Sequence, residues 1–419
     1  MKPKRKALLD CTILVILTFC IPTRGRADDT KVLPKHRGGV TVGYQSVLVK
    51  REFDDAGRDR ELGFYFNRLN VTNIGEPVFN GILNGVIAQS GLPLPPIDPL
   101  AYDSTKRAET YLKARVDVET MILAFQYGVT DKLTLGVGFP YFTHARTEVN
   151  FQALLWPSDT FFTDPIYGLL WQSVFGPKLL PNGALDMTPQ AQQFIQSLGY
   201  EGLSDWNGPR GIGDIRAGAK YRFLNLDKIK AASQAWGIIQ TGQSDEERNL
   251  TDIAYGQGYN SIGIAGMVDL VPIKRITLNA TGRYTWNLPT HRGIFMLDQS
   301  NPQFYQAELP TLHEFGAYHR GNYYEVETEG FLNLLQGVDL FMGYNYTQSE
   351  ADTLDDHVVP ITHVLARSLF GGISLSGVDG FLGMKPKVPV ILNLYAQAIQ
   401  TGRNTERPGA IGADLSDKF

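Results

Sequence analysis

From about Gly38 onward the chain alternates apolar and polar positions with a period of two, the mark of strands that present two unlike faces. The pattern is clearest over 108–127. There Leu112, Ala114, Val116, Val118, Ile122 and Ala124 share one face, and Lys113, Arg115, Asp117 and Glu119 share the other. After Gly128–Asp131 it repeats, with Leu133, Leu135, Val137, Phe139 and Tyr141 opposing Thr134, Gly136, Gly138, His144 and Arg146. Ile215, Ala217, Ala219, Tyr221 and Phe223 oppose Asp214, Arg216, Lys220 and Arg222. Ile276, Leu278, Ala280, Tyr284, Trp286 and Leu288 oppose Arg275, Asn279, Arg283 and Asn287. Tyr324, Val326, Leu332 and Leu334 oppose Glu325, Glu327, Glu329 and Asn333.

Such alternation also suits a soluble sandwich. Two features argue otherwise. The segments outrun the usual ~5–6 residues of a soluble strand. The connections are short on one side (Gly128–Asp131, Asn225–Lys228, Pro272–Arg275, Leu335–Gly337, Ser376–Lys387) and long on the other (51–107, 149–210, 290–319, 351–362). That asymmetry, with aromatics near the strand ends, predicts an all-β chain closed as a transmembrane antiparallel β-barrel of the outer-membrane type. Closure is required, because lipid offers no partner to the backbone groups of an open sheet edge. The strands expected are 38–50, 108–127, 131–147, 211–224, 229–242, 253–271, 275–289, 320–335, 337–350, 363–376, 387–402 and 409–419. These twelve put both ends of the barrel at the short-turn side. Residues 61–73 are assigned to the first long loop, or to an upward extension of the wall.

The first 27 residues read as a separate element. Lys2, Lys4, Arg5 and Lys6 precede an apolar run from Ala7 to Ile21, and Gly25-Arg26-Ala27 supplies small residues before Asp28, as in a secretory signal peptide. Residues 28–419 are then the barrel, in the outer membrane of a Gram-negative bacterium. Both cysteines, Cys11 and Cys20, fall in the leader, so no disulfide or thiol site is expected. The formal charge of −4 becomes −9 once the six basic residues and one acidic residue of the leader are removed, which excludes a nucleic-acid partner. The terminal aromatic Phe419 fits recognition by the outer-membrane assembly machinery.

Leu33-Pro34-Lys35, Phe53-Asp54-Asp55-Ala56-Gly57, the run Tyr127-Gly128-Val129-Thr130-Asp131-Lys132-Leu133-Thr134-Leu135 ending at Pro140-Tyr141, and Gly211-Ile212-Gly213-Asp214-Ile215 with Lys220-Tyr221-Arg222-Phe223 resemble the MetA-pathway of phenol degradation family. The resemblance covers most of the chain from Leu33 onward, with divergent loops. It implies a transporter-like outer-membrane barrel associated with aromatic compounds, and it brings no catalytic residues.

The polar rows predict a lumen lined by Lys113, Arg115, Asp117, Glu119, Arg146, Asp214, Arg216, Arg222, Arg275, Arg283, Glu325, Glu327 and Glu329. Two readings stay open: a charge network that braces a mostly filled interior, or a narrow polar route with a basic and an acidic side. The long loops are rich in apolar residues. Helices are expected at 164–176, after Asp164-Pro165, at 188–199, after Thr188-Pro189, and at 77–89. They form a cap, or a cap enclosing a hydrophobic pocket, with Trp156, Phe161, Trp171, Phe175 and Phe194 as capture residues.

Neither an enzyme nor a cofactor is expected. The seven histidines form no metal-ligand spacing, and Gly256-Gln257-Gly258 lacks the strand–helix setting of a nucleotide site. No Ser–His pair with an orienting third group is evident. The sequence therefore points to an outer-membrane channel, in contact with lipid, for uptake of small hydrophobic or aromatic solutes. The alternative is a structural or adhesive barrel that binds a partner through its outer loops.

Overall fold

The computed structural model describes residues 29–63, 108–155, 185–197, 199–297, 310–359, 362–377 and 390–418, with single positions at 84, 88 and 180. The expected leader (1–27), the helix at 164–176, almost all of the helix at 77–89, Trp156, Phe161, Trp171, Phe175 and Phe419 lie outside the described residues.

Twelve antiparallel strands form one closed ring: β1 (Gly38–Phe53), β2 (Ala108–Thr130), β3 (Leu133–Leu155), β4 (Ile215–Asn225), β5 (Ile229–Ile239), β6 (Ser261–Ile273), β7 (Ile276–Asn287), β8 (Tyr323–Leu335), β9 (Val338–Ser349), β10 (Leu365–Ser376), β11 (Val390–Arg403) and β12 (Thr405–Lys418). Each strand pairs with its sequence neighbours. β1 closes the ring by pairing with β12 from Gly39↔Lys418 and with β2 from Gly38↔Tyr127. The strand count and order match the sequence expectation, as do the short turns at Gly128–Asp131, Asn225–Lys228, Pro272–Arg275 and Leu335–Gly337, while 378–389 lies outside the described residues. Several boundaries move, most of all at β3, which runs on to Leu155, at β6, which starts at Ser261, and at β4 and β12, which start at Ile215 and, directly after a tight turn at Asn404, at Thr405.

The outward face is apolar where lipid must wet it. Ile262, Ile264, Val268 and Leu270 of β6, and Leu278 and Trp286 of β7, are exposed on the barrel's outside. The alternate positions, Ala265, Met267, Asp269, Asn279, Thr281 and Arg283, are buried inside. A charge on the lipid side of a barrel costs roughly 2–4 kcal/mol at mid-membrane, so this parity is strongly fixed.

β2 and β3 are 23 residues each. At ~3.3 Å per residue and ~40° tilt they rise roughly 58 Å, about twice the ~25 Å apolar band of such barrels. Their upper parts therefore stand above the membrane, where the polarity of the wall reverses. Phe125 and Tyr127 face lipid, but Arg115 and Asp117, on the same side of the same strand, form an exposed ion pair at 3.1 Å. Val116 and Val118, on the inner side, are 0 % exposed. On β3 one extra residue near Thr143 shifts the register, since Glu119 faces His144 while Thr120 faces Phe142. A bulge of this kind transfers the following side chains to the other face. Arg146 consequently lies outside, 3.1 Å from Glu148. The extension continues over the first long loop, where 59–61 pairs with Arg51–Phe53.

Because the chain downstream of residue 27 has no cysteine, the reversal is directly measurable. Arg115→Cys is expected to react with a membrane-impermeant maleimide on intact cells. Val116→Cys should react at least about tenfold more slowly, in line with the free energy of opening a packed wall. Faster labelling of Val116→Cys than of Arg115→Cys would place the wall the other way round.

Candidate functional site

The lumen is closed from both ends around a central chamber. At the short-turn end, residues 29–37 fold back into the barrel. The Thr30 N–H donates to the Asp269 carboxylate at 3.2 Å, and its hydroxyl donates to the same oxygen. The Leu33 N–H donates to Thr134 Oγ1 at 2.8 Å, and Lys220 Nζ donates to the Asp29 carbonyl at 3.0 Å. Three different strands thus hold this segment. On the other side of the lumen Phe331, Phe341, Phe370 and Tyr395 pack together. The tip of the Phe370 ring lies against Gly343, where a Cβ would come within 2.2 Å of it. Glycine is needed at that position to let an aromatic lie against the wall.

At the long-loop end, segment 241–257 roofs the chamber. Asp214 fastens both ends of it: Oδ1 accepts from the N–H groups of Thr241 and Gly242, each at 3.0 Å, and Oδ2 from that of Gln257 at 2.6 Å. Tyr255 stacks on Phe142, with centroids 4.4 Å apart and planes 10° apart. Its hydroxyl donates to the Pro209 carbonyl. The roof is tied outward to the hairpin 290–297/310–319 by Asp245–Arg292 at 3.6 Å and Glu247–His313 at 2.7 Å.

Between these closures lies a cavity of about 470 Å³, within the ~300–1,000 Å³ of small-molecule sites. Its lining combines Phe142, Trp236, Ile238, Phe370 and Ile399 with Arg216, Lys220, Arg283, Glu325 and Glu327. The Trp236 indole lies over Gly263, and the Arg216 guanidinium lies over the indole at 4.3 Å. One guanidinium nitrogen of Arg283 reaches both Glu325 and Glu327 at 2.9 Å. Asn345 also donates to Glu325. Above the chamber the inner wall is apolar, with Val47, Val49, Leu112, Val116, Val118 and Phe151 buried.

The expected lumen row is thereby redistributed. Arg216, Arg283, Glu325, Glu327 and Glu329 face inward, Asp214 serves as the roof clamp, and Arg222 reaches the short-turn rim, where it donates to the Asp131 carbonyl at 3.1 Å. Lys113, Arg115, Asp117, Glu119 and Arg146 are corrected to the outer face. Above the lipid that face needs no apolar cover, and the bulge reverses β3. Arg275 is corrected to the exposed turn between β6 and β7. The helix expected at 188–199 is present as α1 (Thr188–Ser197) and carries Phe194 on its length, with Ile195 buried. Sequence parity missed Trp236, although it sits on an inward position between the polar Gln234 and the apolar Ile238. It also missed the roof, part of which had been read as strand.

In comparison with solved structures, an outer membrane channel from Pseudomonas putida F1 superposes with a TM-score of 0.52 at 11% identity, covering 94% of this chain and 99% of that one. That likeness bears on the fold alone. The chain is an outer-membrane β-barrel. A deltaS2S3 mutant of the TodX monoaromatic hydrocarbon channel (TM-score 0.36, 11% identity, 92% and 90% covered) and the Ralstonia pickettii toluene transporter TbuX (0.38, 10%, 94% and 92%) superpose too loosely to carry an argument. No family profile matches the chain, and no curated relative aligns with it. Among the described residues no group of three or more His, Cys, Asp or Glu is placed to hold a metal.

The roof carries a buried carboxyl pair. Burial, and then the adjacent Asp245 carboxylate, push Asp252 from its ordinary 3.8 up to about 8. Burial raises Asp245 as well. An acid raised in this way keeps its proton in the packed roof and loses it in the opened one. Roof packing therefore weakens as pH climbs from about 4 to about 8 and levels off above. Amide exchange over 250–256 is expected to quicken between about pH 4 and about pH 8 beyond the intrinsic rate, and to follow the intrinsic rate above, and Asp252→Asn should flatten that dependence. Protection that stays constant in the unsubstituted protein would refute the pair's role.

Proposed function

We propose that this barrel is an outer-membrane channel for uptake of small hydrophobic or aromatic compounds. The observation that carries the reading is the chamber inside the barrel, lined by Trp236, Phe142, Phe370, Ile238 and Ile399. A solute taken from water by burial gains ~25 cal/mol per Å² of apolar surface, and these side chains supply it. Trp156, Phe161, Trp171, Phe175 and Phe194 of the outer loops are the proposed first contacts, and the family resemblance around Tyr127–Tyr141 supports the same class of solute. The P. putida structure is described as a channel, and TodX and TbuX as a monoaromatic hydrocarbon channel and a toluene transporter.

The exit in this reading is through the wall. The β3–β4 ladder runs from Leu133↔Tyr221 to Gly138↔Arg216 and resumes only at Tyr141↔Ile212. Pro140 falls in the interval, contributes no N–H, and accepts from Gly213 at 2.8 Å. Phe139 and Pro140 border the chamber. With the short-turn end filled by 29–33, this interrupted seam is the proposed exit.

Toluene added to the detergent-purified barrel is expected to quench tryptophan fluorescence saturably, and Trp236→Phe to remove most of that change. Cells lacking the protein should take up toluene or phenol more slowly at low concentration. Uptake unchanged across a panel of apolar and aromatic solutes, with no saturable quenching, would remove the reading.

A further inference from the structure

We infer that the outer face of β10 and β11, with the neighbouring β12 and β1, binds a phosphorylated glycolipid of the outer leaflet. Its acyl chains lie on the barrel wall and a head-group phosphate sits between Arg367 and Arg403. The inference stands apart from the uptake reading and rests on the barrel's place in the outer membrane.

The wall beneath these two arginines is wetted by lipid. Leu369 and Ile373 of β10, Leu394 of β11, Ile411 and Leu415 of β12 and Val42 of β1 are all exposed on the outside. At ~2.5 Å of rise per residue along a tilted strand, Arg367, Arg407 and Arg403 stand roughly 23, 28 and 33 Å from the short-turn ends of β10, β12 and β11. The apolar band of such barrels is ~25 Å tall, so the three side chains meet its outer margin. Tyrosines mark the same level. Tyr346 of β9 pairs with Arg367, whose guanidinium lies 5.8 Å from the centre of the ring. The hydroxyls of Tyr346 and of Tyr324 on β8 both donate to Gln348. Tyrosine collects where hydrocarbon gives way to head groups.

Arg367 and Arg403 are exposed and lie diagonally across the β10–β11 ladder, in which Arg367 pairs with Thr401 and Leu365 with Arg403. Diagonal neighbours are roughly 7–8 Å apart, close enough for two guanidinium forks to converge on one phosphate. Among the described residues neither is joined to a carboxylate. The nearby acids are gathered at Arg51 instead: Asp59 binds Arg51 at 2.8 Å and also binds Arg407, and Glu61 lies opposite Arg51 in the ladder. On the tall side of the barrel, high above the lipid, the pattern is reversed. There Arg115 and Arg146 each have a carboxylate at 3.1 Å, from Asp117 and Glu148. The protein thus balances its outer cations where water surrounds them and leaves two unbalanced at the lipid margin. A guanidinium fork matches phosphate in geometry and charge. A zwitterionic head group would bring a cation of its own among the arginines.

The test measures binding of lipid A to the purified barrel in non-ionic detergent by native mass spectrometry, beside dephosphorylated lipid A and with inorganic phosphate as competitor. Lipid A is expected to bind saturably and about tenfold or more tightly than its dephosphorylated form. Arg367→Gln combined with Arg403→Gln should weaken lipid A about tenfold or more. Arg115→Gln combined with Arg146→Gln, on the tall side, should leave it within about twofold, because those charges lie beyond a screening length from the head groups. Equal binding of the two lipids, or an equal loss in the two double variants, overturns the inference. So does inorganic phosphate that displaces lipid A at the concentration at which lipid A itself saturates, since the site would then be one for a free anion. Should the Arg367/Arg403 double variant fail to assemble, Arg403→Gln alone, read by the same ratio of the two lipids, decides the matter.

Discussion

Lipid cannot hydrogen-bond, and this one limit governs the whole molecule. It forces the sheet to close, so that β1 must find both β2 and β12. It also fixes the parity of every strand, but only over the thickness of the membrane. Above that band water wets the outside, and the same strand may turn charged outward and apolar inward without changing its register. β2 does so between Glu119 and Met121. The packed apolar inner wall is thus a direct product of extending a strand beyond the medium that dictated its polarity.

That explains what could be read from the residues and what could not. Alternation reports that two faces differ and says nothing about which is inside. Over β6 to β8 the apolar row is the outer one throughout, and the lumen position of Arg283, Glu325 and Glu327 followed from parity alone. Over β2 the same rule fails. Lys113 through Glu119 share odd parity with Met121, Leu123, Phe125 and Tyr127, and only one of these two runs can lie in lipid. The aromatic-ended lower run next to the short turn Gly128–Asp131 identifies itself as the membrane-facing one, so the signal was present in the sequence. The bulge at Thr143 was not, because an extra residue leaves no mark in an alternating pattern except a change of phase that looks like an ordinary polar substitution. The roof escaped for a related reason: Ile253, Ala254 and Tyr255 are as apolar as a strand, yet they are buried by folding over the lumen and not by pairing in its wall.

The closures of the lumen rely on unlike interactions, and this sets which of them can yield. The aromatic packing of Phe331, Phe341, Phe370 and Tyr395 is non-directional and buried on four adjacent strands, so it moves only if the barrel does. The N-terminal segment and the roof are held instead by directional contacts: bonds to Asp269, Thr134 and Lys220 for the first, and bonds to Asp214 with the Tyr255–Phe142 stack and the Asp245–Arg292 and Glu247–His313 pairs for the second. The bonds that share one carboxylate are short and directional, and they are lost together when that carboxylate moves. Local opening free energies fall where packing is sparse. In the proposed uptake these two segments would yield before the aromatic packing does.

Trp236 stands where these lines meet. It packs on Ala232, Ala265 and Met267 of its own wall, lies over Gly263, and supports Arg216. The strand that presents Arg216 is also the one whose ladder to β3 is interrupted at Pro140 and whose Asp214 clamps the roof. Binding at Trp236 therefore touches, through β4 alone, the roof above, the seam beside it and, by way of Lys220, the segment that fills the lumen below. In the proposed uptake, a solute seated against Trp236 would act on these three places through the side chains of a single strand, with no need for a motion of the barrel as a whole.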